Sequence, residues 1–256
     1  PPNTNATFTK RTILSEISKL FDPLGLVSPI IVRAKFLMQQ IWLEKSKNWD
    51  ARVTSKIQAD WLELRIEFQS LHSLIVPRHL STFPNDKTTT FHGFSDASMK
   101  GFGACTYISA LLNTKPVSKL ICSKSRVAPL KTQTLPRLEL AAALLLSELA
   151  TKVLSSLKQK PSKIFLWTDS SIVLHWISNS PTKWQTFVSN RVAKIQNLTS
   201  KLNATWRHVS TKNNPADLIS RGVTTEKLSM STLWWNGPSF ISQDQHLWPK
   251  PAVTIS

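Results

Sequence analysis

Before residue 77, apolar residues recur at helical spacing in three stretches. Arg11 to Phe21 carries Ile13, Leu14, Ile17, Leu20 and Phe21; Ile30 to Leu43 carries Ile31, Ala34, Leu37, Met38 and Ile41; Ser55 to Leu71 carries Ile57, Trp61, Leu64 and Phe68. Asp22-Pro23-Leu24-Gly25 breaks the first stretch from the second as a turn. The texture changes near residue 88. Thr88 to Asp96 is β-branched and aromatic and predicts a strand, Gly101 to Ile108 predicts its hairpin partner, and Lys119 to Ser123 a third strand. Pro136 then opens a long helix from Arg137 to about Leu157, with proline at a favoured first-turn position. Ile164 to Asp169 is an apolar run closed by an acid, the pattern of a buried strand. Ser170 and Ser171 cap a helix towards Ile177, Trp184 to Leu198 predicts another, Thr205 to Val209 a short strand, and Pro215 to Ser220 starts a final helix.

The order is three strands, helix, strand, helices, strand, helix: an α/β domain built on a mixed sheet with helices on its faces. Beyond Gly222 the chain shows little periodicity and reads as a linker or docking strap. The run Leu138 to Leu157 is interrupted by Glu139, Glu148 and Lys152, which makes it a buried helix and not a membrane span.

Charge sharpens the picture. The 256 residues carry 32 Lys/Arg against 15 Asp/Glu, a net charge of +17, which favours a polyanionic partner such as nucleic acid. Two cysteines, Cys105 and Cys122, are too few for a disulfide framework and lack metal-ligand spacing, so an intracellular setting is expected. The opening Pro-Pro-Asn shows no signal-peptide pattern and reads as a cut from a longer polypeptide.

Between Thr88 and Arg221 there are 18 Lys/Arg and five acids: Asp96, Glu139, Glu148, Asp169 and Asp217. All but Glu148 fall at element ends, where side chains from different elements can meet at one edge of a sheet. Glu148, nine residues past Glu139, faces the other side of that helix. Four carboxylates in one place repel one another unless cations neutralise them, and oxygen ligands without His or Cys point to Mg²⁺, with Mn²⁺ as the alternative. Two such ions can activate a water and stabilise the leaving oxygen of a phosphodiester. Singly, each acid also reads as a helix N-terminal or turn charge.

Four runs together resemble retroelement ribonuclease H domains: Ser95-Asp96-Ala97-Ser98 with Gly101-Phe102-Gly103-Ala104, Arg137-Leu138-Glu139-Leu140-Ala141-Ala142, Trp167-Thr168-Asp169-Ser170, and Asn214-Pro215-Ala216-Asp217-Leu218-Ile219-Ser220-Arg221-Gly222. The flanks, Phe21-Asp22-Pro23-Leu24-Gly25-Leu26-Val27-Ser28-Pro29 and Trp234-Trp235-Asn236-Gly237-Pro238, are similar to the BEL/Pao class of LTR retrotransposons. The resemblance implies a ribonuclease H-like five-stranded mixed sheet with helices on both faces at residues 87–222. It implies a thumb- or connection-like helical segment of reverse transcriptase at 1–86, and a tail towards integrase at 223–256.

It also implies a Mg²⁺-dependent endonuclease that cuts the RNA strand of RNA–DNA hybrids. Asp96, Glu139 and Asp169 would share one ion and Asp96 and Asp217 the second. Reverse transcriptase in cis and integrase in the same polyprotein would be partners, in a cytoplasmic virus-like particle with a nuclear phase and no membrane. RNA would be told from DNA by 2′-hydroxyl contacts from amides near Ser98 to Gly101 and from Thr134, Asn213 and Asn214. Lys124, Arg126, Lys131 and Arg137 flank the glutamate helix and would hold the DNA strand. Many ribonucleases H carry a mobile histidine before the last aspartate. Here Ser210 to Asn214 has none, and His208 reads as a strand-end residue. Three alternatives stay open: a connection-type domain that binds hybrid without cutting, an integrase-like core, and a domesticated fragment with a structural role.

Overall fold

The computed structural model describes residues 8–44, 46, 48–76, 89–112 and 115–249. Five strands form one sheet: β1 (Thr90–Ala97), β2 (Gly101–Leu112), β3 (Lys115–Val127), β4 (Lys163–Thr168) and β5 (Thr205–His208), in the order β3-β2-β1-β4-β5. β1, β2 and β3 form an antiparallel meander, and β4 and β5 run parallel to β1. This is the mixed α/β sheet expected from the sequence. The start of the first predicted strand, at Thr88, lies outside the described residues.

Three helices precede the sheet: α1 (Lys10–Ser18), α2 (Ser28–Leu43) and α3 (Ser55–Ser70). They bury a small core of their own around Ile13, Leu37, Ile41, Ile57 and Trp61. They are also joined to the sheet. Asp22 accepts from the Leu26 and Val27 amides at 2.8 and 2.9 Å, which tightens the turn before α2. That turn docks on edge strand β3, where the Ser123 amide donates to Leu24 O at 2.8 Å. Gly25 has φ +71°, and a Cβ there would lie 2.1 Å from the Ser123 carbonyl oxygen, so both conformation and space require glycine. α2 then runs along β3, with Lys35 Nζ donating to Ser125 O at 3.0 Å and Gln39 Nε2 to Ala128 O at 2.6 Å.

One sheet face is covered by α4 (Leu135–Ser156), which packs Leu138, Ala142, Leu145, Leu146 and Leu149 over Phe91, Phe102, Ala104 and Leu166. Its outer side seats α5 (Ser171–Ser178) and α6 (Thr186–Lys201) through Leu140, Ala143, Val173 and Val192. The other face is aromatic and is covered from both ends of the chain. Ile30 arrives on α2. Ala216 and Ile219 come from the segment around α7 (Asp217–Arg221), Leu228 from α8 (Thr225–Ser229) and Trp234 from α9 (Thr232–Asn236); Phe240, Ile241 and Trp248 follow.

The tail read as a linker or docking strap is therefore, through residue 249, a cover for the sheet. Tyr107 donates to Trp234 O at 2.8 Å, and Trp234 Nε1 donates to Leu26 O at 2.8 Å. Its large aromatics take the place of the periodic stripe that a long helix would show. No helix among the described residues is long and apolar enough to cross a membrane.

Candidate active site

Parallel β1 and β4 end side by side, with Ser95 opposite Thr168. Asp96 thus leaves the end of β1 beside Asp169, which follows β4 directly. Glu139 is the fifth residue of α4, just past its first turn, on the side facing β4, and Ser170 Oγ donates to its Oε2 at 2.6 Å. The same hydroxyl accepts from the Val173 amide at 3.2 Å and caps α5. Asp217 is the first residue of α7, which comes from the opposite sheet face. Two strand ends, one helix of each face and a capping serine meet at one end of the sheet.

Asp96 is nearly buried, at 6% exposure. Burial, reinforced by the charges of Asp169 and Asp217, pushes its pKa up to about 7 against the opposing bonds from Ser220 and the Ala97 amide. Burial and the Asp169 charge also raise the Glu139 pKa, against the Ser170 bond. Electrostatic coupling thus links all four acids: Asp96 feels Asp169 and Asp217, and Glu139 feels Asp169.

Each carboxylate is also tethered. Ser220 Oγ donates to Asp96 Oδ2. Thr211 Oγ1 donates to Asp169 Oδ2 at 2.7 Å, while Asp169 Oδ1 is out of solvent and accepts no hydrogen bond. Arg221 Nε pairs with Asp217 Oδ1 at 2.5 Å. A buried anionic oxygen without a donor is costly, and a cation beside it removes that cost. The all-oxygen donor set is that of a hard divalent ion. No three His, Cys, Asp or Glu among the described residues converge closely enough to share one ion. The donor chemistry fits Mg²⁺, and Ser170, Thr211, Ser220 and Arg221 each occupy one carboxylate oxygen.

The other residues singled out from the sequence divide. Lys124, Arg126, Lys131 and Thr134 are exposed, and Asn213 and Arg137 are half-buried. Ser98 is committed inside the protein: its hydroxyl donates to Ser220 O at 2.6 Å and accepts from the Gly101 amide at 3.3 Å. Asn214 is a correction. It is fully buried, with Nδ2 donating to Ser95 O at 3.0 Å and Oδ1 accepting from the Ala216 amide, so it joins the Asp217 segment to β1 and is closed to substrate. His208 Nε2 donates to the Asp169 carbonyl at 3.2 Å, which makes it a strand-end brace.

Ser220 and Arg221 entered the sequence reading only as part of the closing run and were given no role, and Thr211 was not singled out. Their spacing was a further signal: Ser220 and Arg221 lie three and four residues after Asp217, the same helix face. Phe187 and Arg191 were missed as well. On the side of α4 away from Glu139, Arg126, Arg137 and Arg191 line a groove of about 340 Å³ around Phe187. The Arg191 guanidinium lies 3.5 Å from the Phe187 ring centre and that of Arg137 5.0 Å. Both would have been found only by knowing that α6 packs beside α4.

The strand order with carboxylates at the ends of β1 and β4 defines a ribonuclease H-like domain. The family described as "Pao retrotransposon-like RNaseH-like domain" matches residues 9–170, more than half of the sequence, and the chain belongs to that family. No curated protein matches the sequence. Among solved structures it is similar to RNase H1 from the halophilic archaeon Halobacterium salinarum NRC-1, at 13% identity and a TM-score of 0.33 over 50% of this chain and 89% of that one. It is similar to LC11-RNase H1, isolated from compost and solved with an RNA/DNA hybrid, at 13% identity and a TM-score of 0.36 over 51% and 92%. A third is the prototype foamy virus protease-reverse transcriptase, at 14% identity and a TM-score of 0.35 over 77% and 28%.

Proposed function

We propose that this domain hydrolyses the RNA strand of RNA–DNA hybrids, using two Mg²⁺ ions held by Asp96, Glu139, Asp169 and Asp217. The observation that carries the reading is the assembly of these four acids, from four separate elements, at one sheet end of a domain that is otherwise strongly basic. When bound, the ions would activate a water for attack on the scissile phosphate and stabilise the leaving oxygen. The products would carry 5′-phosphate and 3′-hydroxyl ends.

The chain's own residues prepare that site. Ser220 and Thr211 each fix one oxygen of Asp96 and Asp169 and leave the other oxygen of each carboxylate for a ligand. Ser170 orients Glu139. Arg221 neutralises Asp217 until a stronger cation competes for it. The groove at Arg126, Arg137 and Arg191, with exposed Lys124, Lys131 and Thr134, supports backbone binding of the DNA strand without base reading. Asn213 and the Met99 amide are the candidates for 2′-hydroxyl contacts, because the Ser98, Lys100 and Gly101 amides are spent on Gly101 O and Ser98 Oγ within the turn. Residues 1–86 would continue from a reverse transcriptase in cis, residues 87–222 would carry the four acids, and residues 223–256 would cover the sheet through residue 249 before leading towards an integrase.

A second reading is a domain that grips hybrid without cutting it. The Arg221–Asp217 ion pair and the lack of a tight three-carboxylate group among the described residues favour it. An end-labelled hybrid incubated with Mg²⁺ or with EDTA, beside RNA–RNA and DNA–DNA duplexes, separates the two. Metal-dependent cutting of the hybrid's RNA strand alone is expected. Binding without cutting supports the second reading, and neither activity overturns both.

A further inference from the structure

At the far end of β4 from Asp169, the aromatic face of the sheet is left partly open. Lys163, Phe165 and Trp167 alternate along β4, and Thr205 and Arg207 stand opposite Phe165 and Trp167 on edge strand β5, so all five share one face. Through residue 249 the strap crosses this face over β4. Trp248 covers Phe165, at 4.8 Å between ring centres, and Gln245 reaches Lys163 Nζ at 3.4 Å. Between strap and edge lies a cleft of about 310 Å³, lined by Ser162, Lys163, Phe165, Thr205, Arg207 and Gln245 among others.

The charges in this cleft are unbalanced. Among the described residues neither Arg207 nor Lys163 forms a salt bridge. Arg207 lies 5.5–5.8 Å from the ring centres of Phe165, Trp167 and Trp248, and its Nη1 is out of solvent and donates to nothing. A guanidinium N–H withheld from water and given no acceptor costs free energy that an anion in the cleft would recover. Lys163 supplies a second cation and Thr205 a hydroxyl, while Phe165 and Ile164 supply an apolar wall. The acid nearby is Asp244, which lines the neighbouring pocket on the strap side.

We propose that this cleft binds a phosphate group, carried by a nucleotide or by the end of a nucleic-acid strand. Six residues of extended chain separate Lys163 from Asp169, about 20 Å, so the cleft is a second site and not an arm of the carboxylate cluster. Occupancy would also fix the strap, because Gln245 lines the cleft and the Trp248 ring lies against Arg207.

The test uses the full chain carrying Asp169→Asn, in EDTA, so that no cleavage intervenes and failure of the nuclease reading leaves the result intact. Inorganic phosphate, AMP, and a short oligonucleotide with or without a 5′-phosphate are titrated by calorimetry and by the Trp248 indole resonance. Binding of AMP with a shift at Trp248 is expected. Lys163→Gln and Arg207→Gln should each weaken it about tenfold or more, a loss of at least about 1.4 kcal/mol. Lys56→Gln, exposed on α3, should leave it unchanged, and Asp244→Asn should tighten it. Lys163 is exposed, so its variant tests the site even if Arg207→Gln unfolds the aromatic cluster. Preference for AMP assigns a free nucleotide, and preference for the 5′-phosphorylated oligonucleotide assigns a strand end. No binding of any probe, or binding indifferent to Lys163→Gln, overturns the proposal.

Discussion

The two faces of the sheet are covered in opposite ways. The first has a single continuous helix, α4, whose leucines and alanines meet aliphatic and phenylalanine side chains of the strands. The second is assembled from pieces more than two hundred residues apart: Ile30 on α2 at one extreme and Trp234, Phe240 and Trp248 at the other, around a core of Trp167, Tyr107 and Phe94. The four acids draw on both arrangements. Glu139 rides on the continuous cover, Asp217 and Ser220 on the assembled one, and Asp96 and Asp169 on the strands between. The first face gives the site a rigid wall, and the second makes its geometry depend on segments far away in the sequence.

The comparison can be broken at its centre. Asp169→Asn removes the acid between the two covers and should lower hybrid cleavage by about 10³-fold or more while circular dichroism and melting temperature stay near those of the parent. Full activity in that variant would falsify the site.

The covers themselves separate next. Trp234→Ala should cost about 3–5 kcal/mol and Leu146→Ala about 2–5 kcal/mol in denaturant unfolding. Trp234→Ala should in addition weaken Mg²⁺ binding in whatever fraction stays folded, because its Nε1 bond to Leu26 helps to seat α2 against the Asp217 helix. Equal effects of the two on metal affinity would erase the distinction between the faces.

A third outcome concerns pH. Burial raises Asp96 to about 7, well above its unfolded value. A raised acid contributes stability that is complete below the unfolded pKa and is lost as pH climbs through the folded one. The metal-free protein should therefore melt at progressively lower temperature from about pH 4 to pH 7, and Asp96→Asn should flatten that slope. Ser220→Ala, which removes the donor to Asp96, should weaken Mg²⁺ binding by about 10–100-fold, with partial recovery in Ser220→Thr. The smallest effect belongs to Arg191→Gln: hybrid binding should weaken uniformly across sequences and its salt dependence fall by about one ion.

What could be read from the sequence follows the same division. Asp96 and Asp169 close strands whose alternation or apolar run is visible, and Glu139 opens a helix marked by Pro136. β3 was legible only in part. It extends over Lys115–Val127 and not merely Lys119 to Ser123, because Ser118, Ser123 and Ser125 are buried beneath distant segments and read as polar until those are in place. Ser123 meets Gly25 and Ser118 meets Asn236, partners 98 and 118 residues away. The tail's elements were hidden for a related reason: its short turns of helix are too brief for a period, and the rings that it buries, Trp234, Phe240 and Trp248, are too far apart to mark one. Asn214 and Ser220 carried no sign of their partners, since a hydrogen bond across more than one hundred residues leaves no trace in local spacing.

Gly222, at φ +77°, packs against Arg33, and the next amide, Val223, donates to Pro29 O at 3.0 Å. Arg33 in turn pairs with Glu67, whose carboxylate accepts from the Thr225 amide. That knot bears on how the domain withstands proteolysis. A cut at Gly222 would sever the strap where it is tied to the helices ahead of the sheet, and would leave the tryptophan face bare. A stable domain therefore keeps both flanks, and a variant cleavable at this knot should lose stability even though no acid is touched.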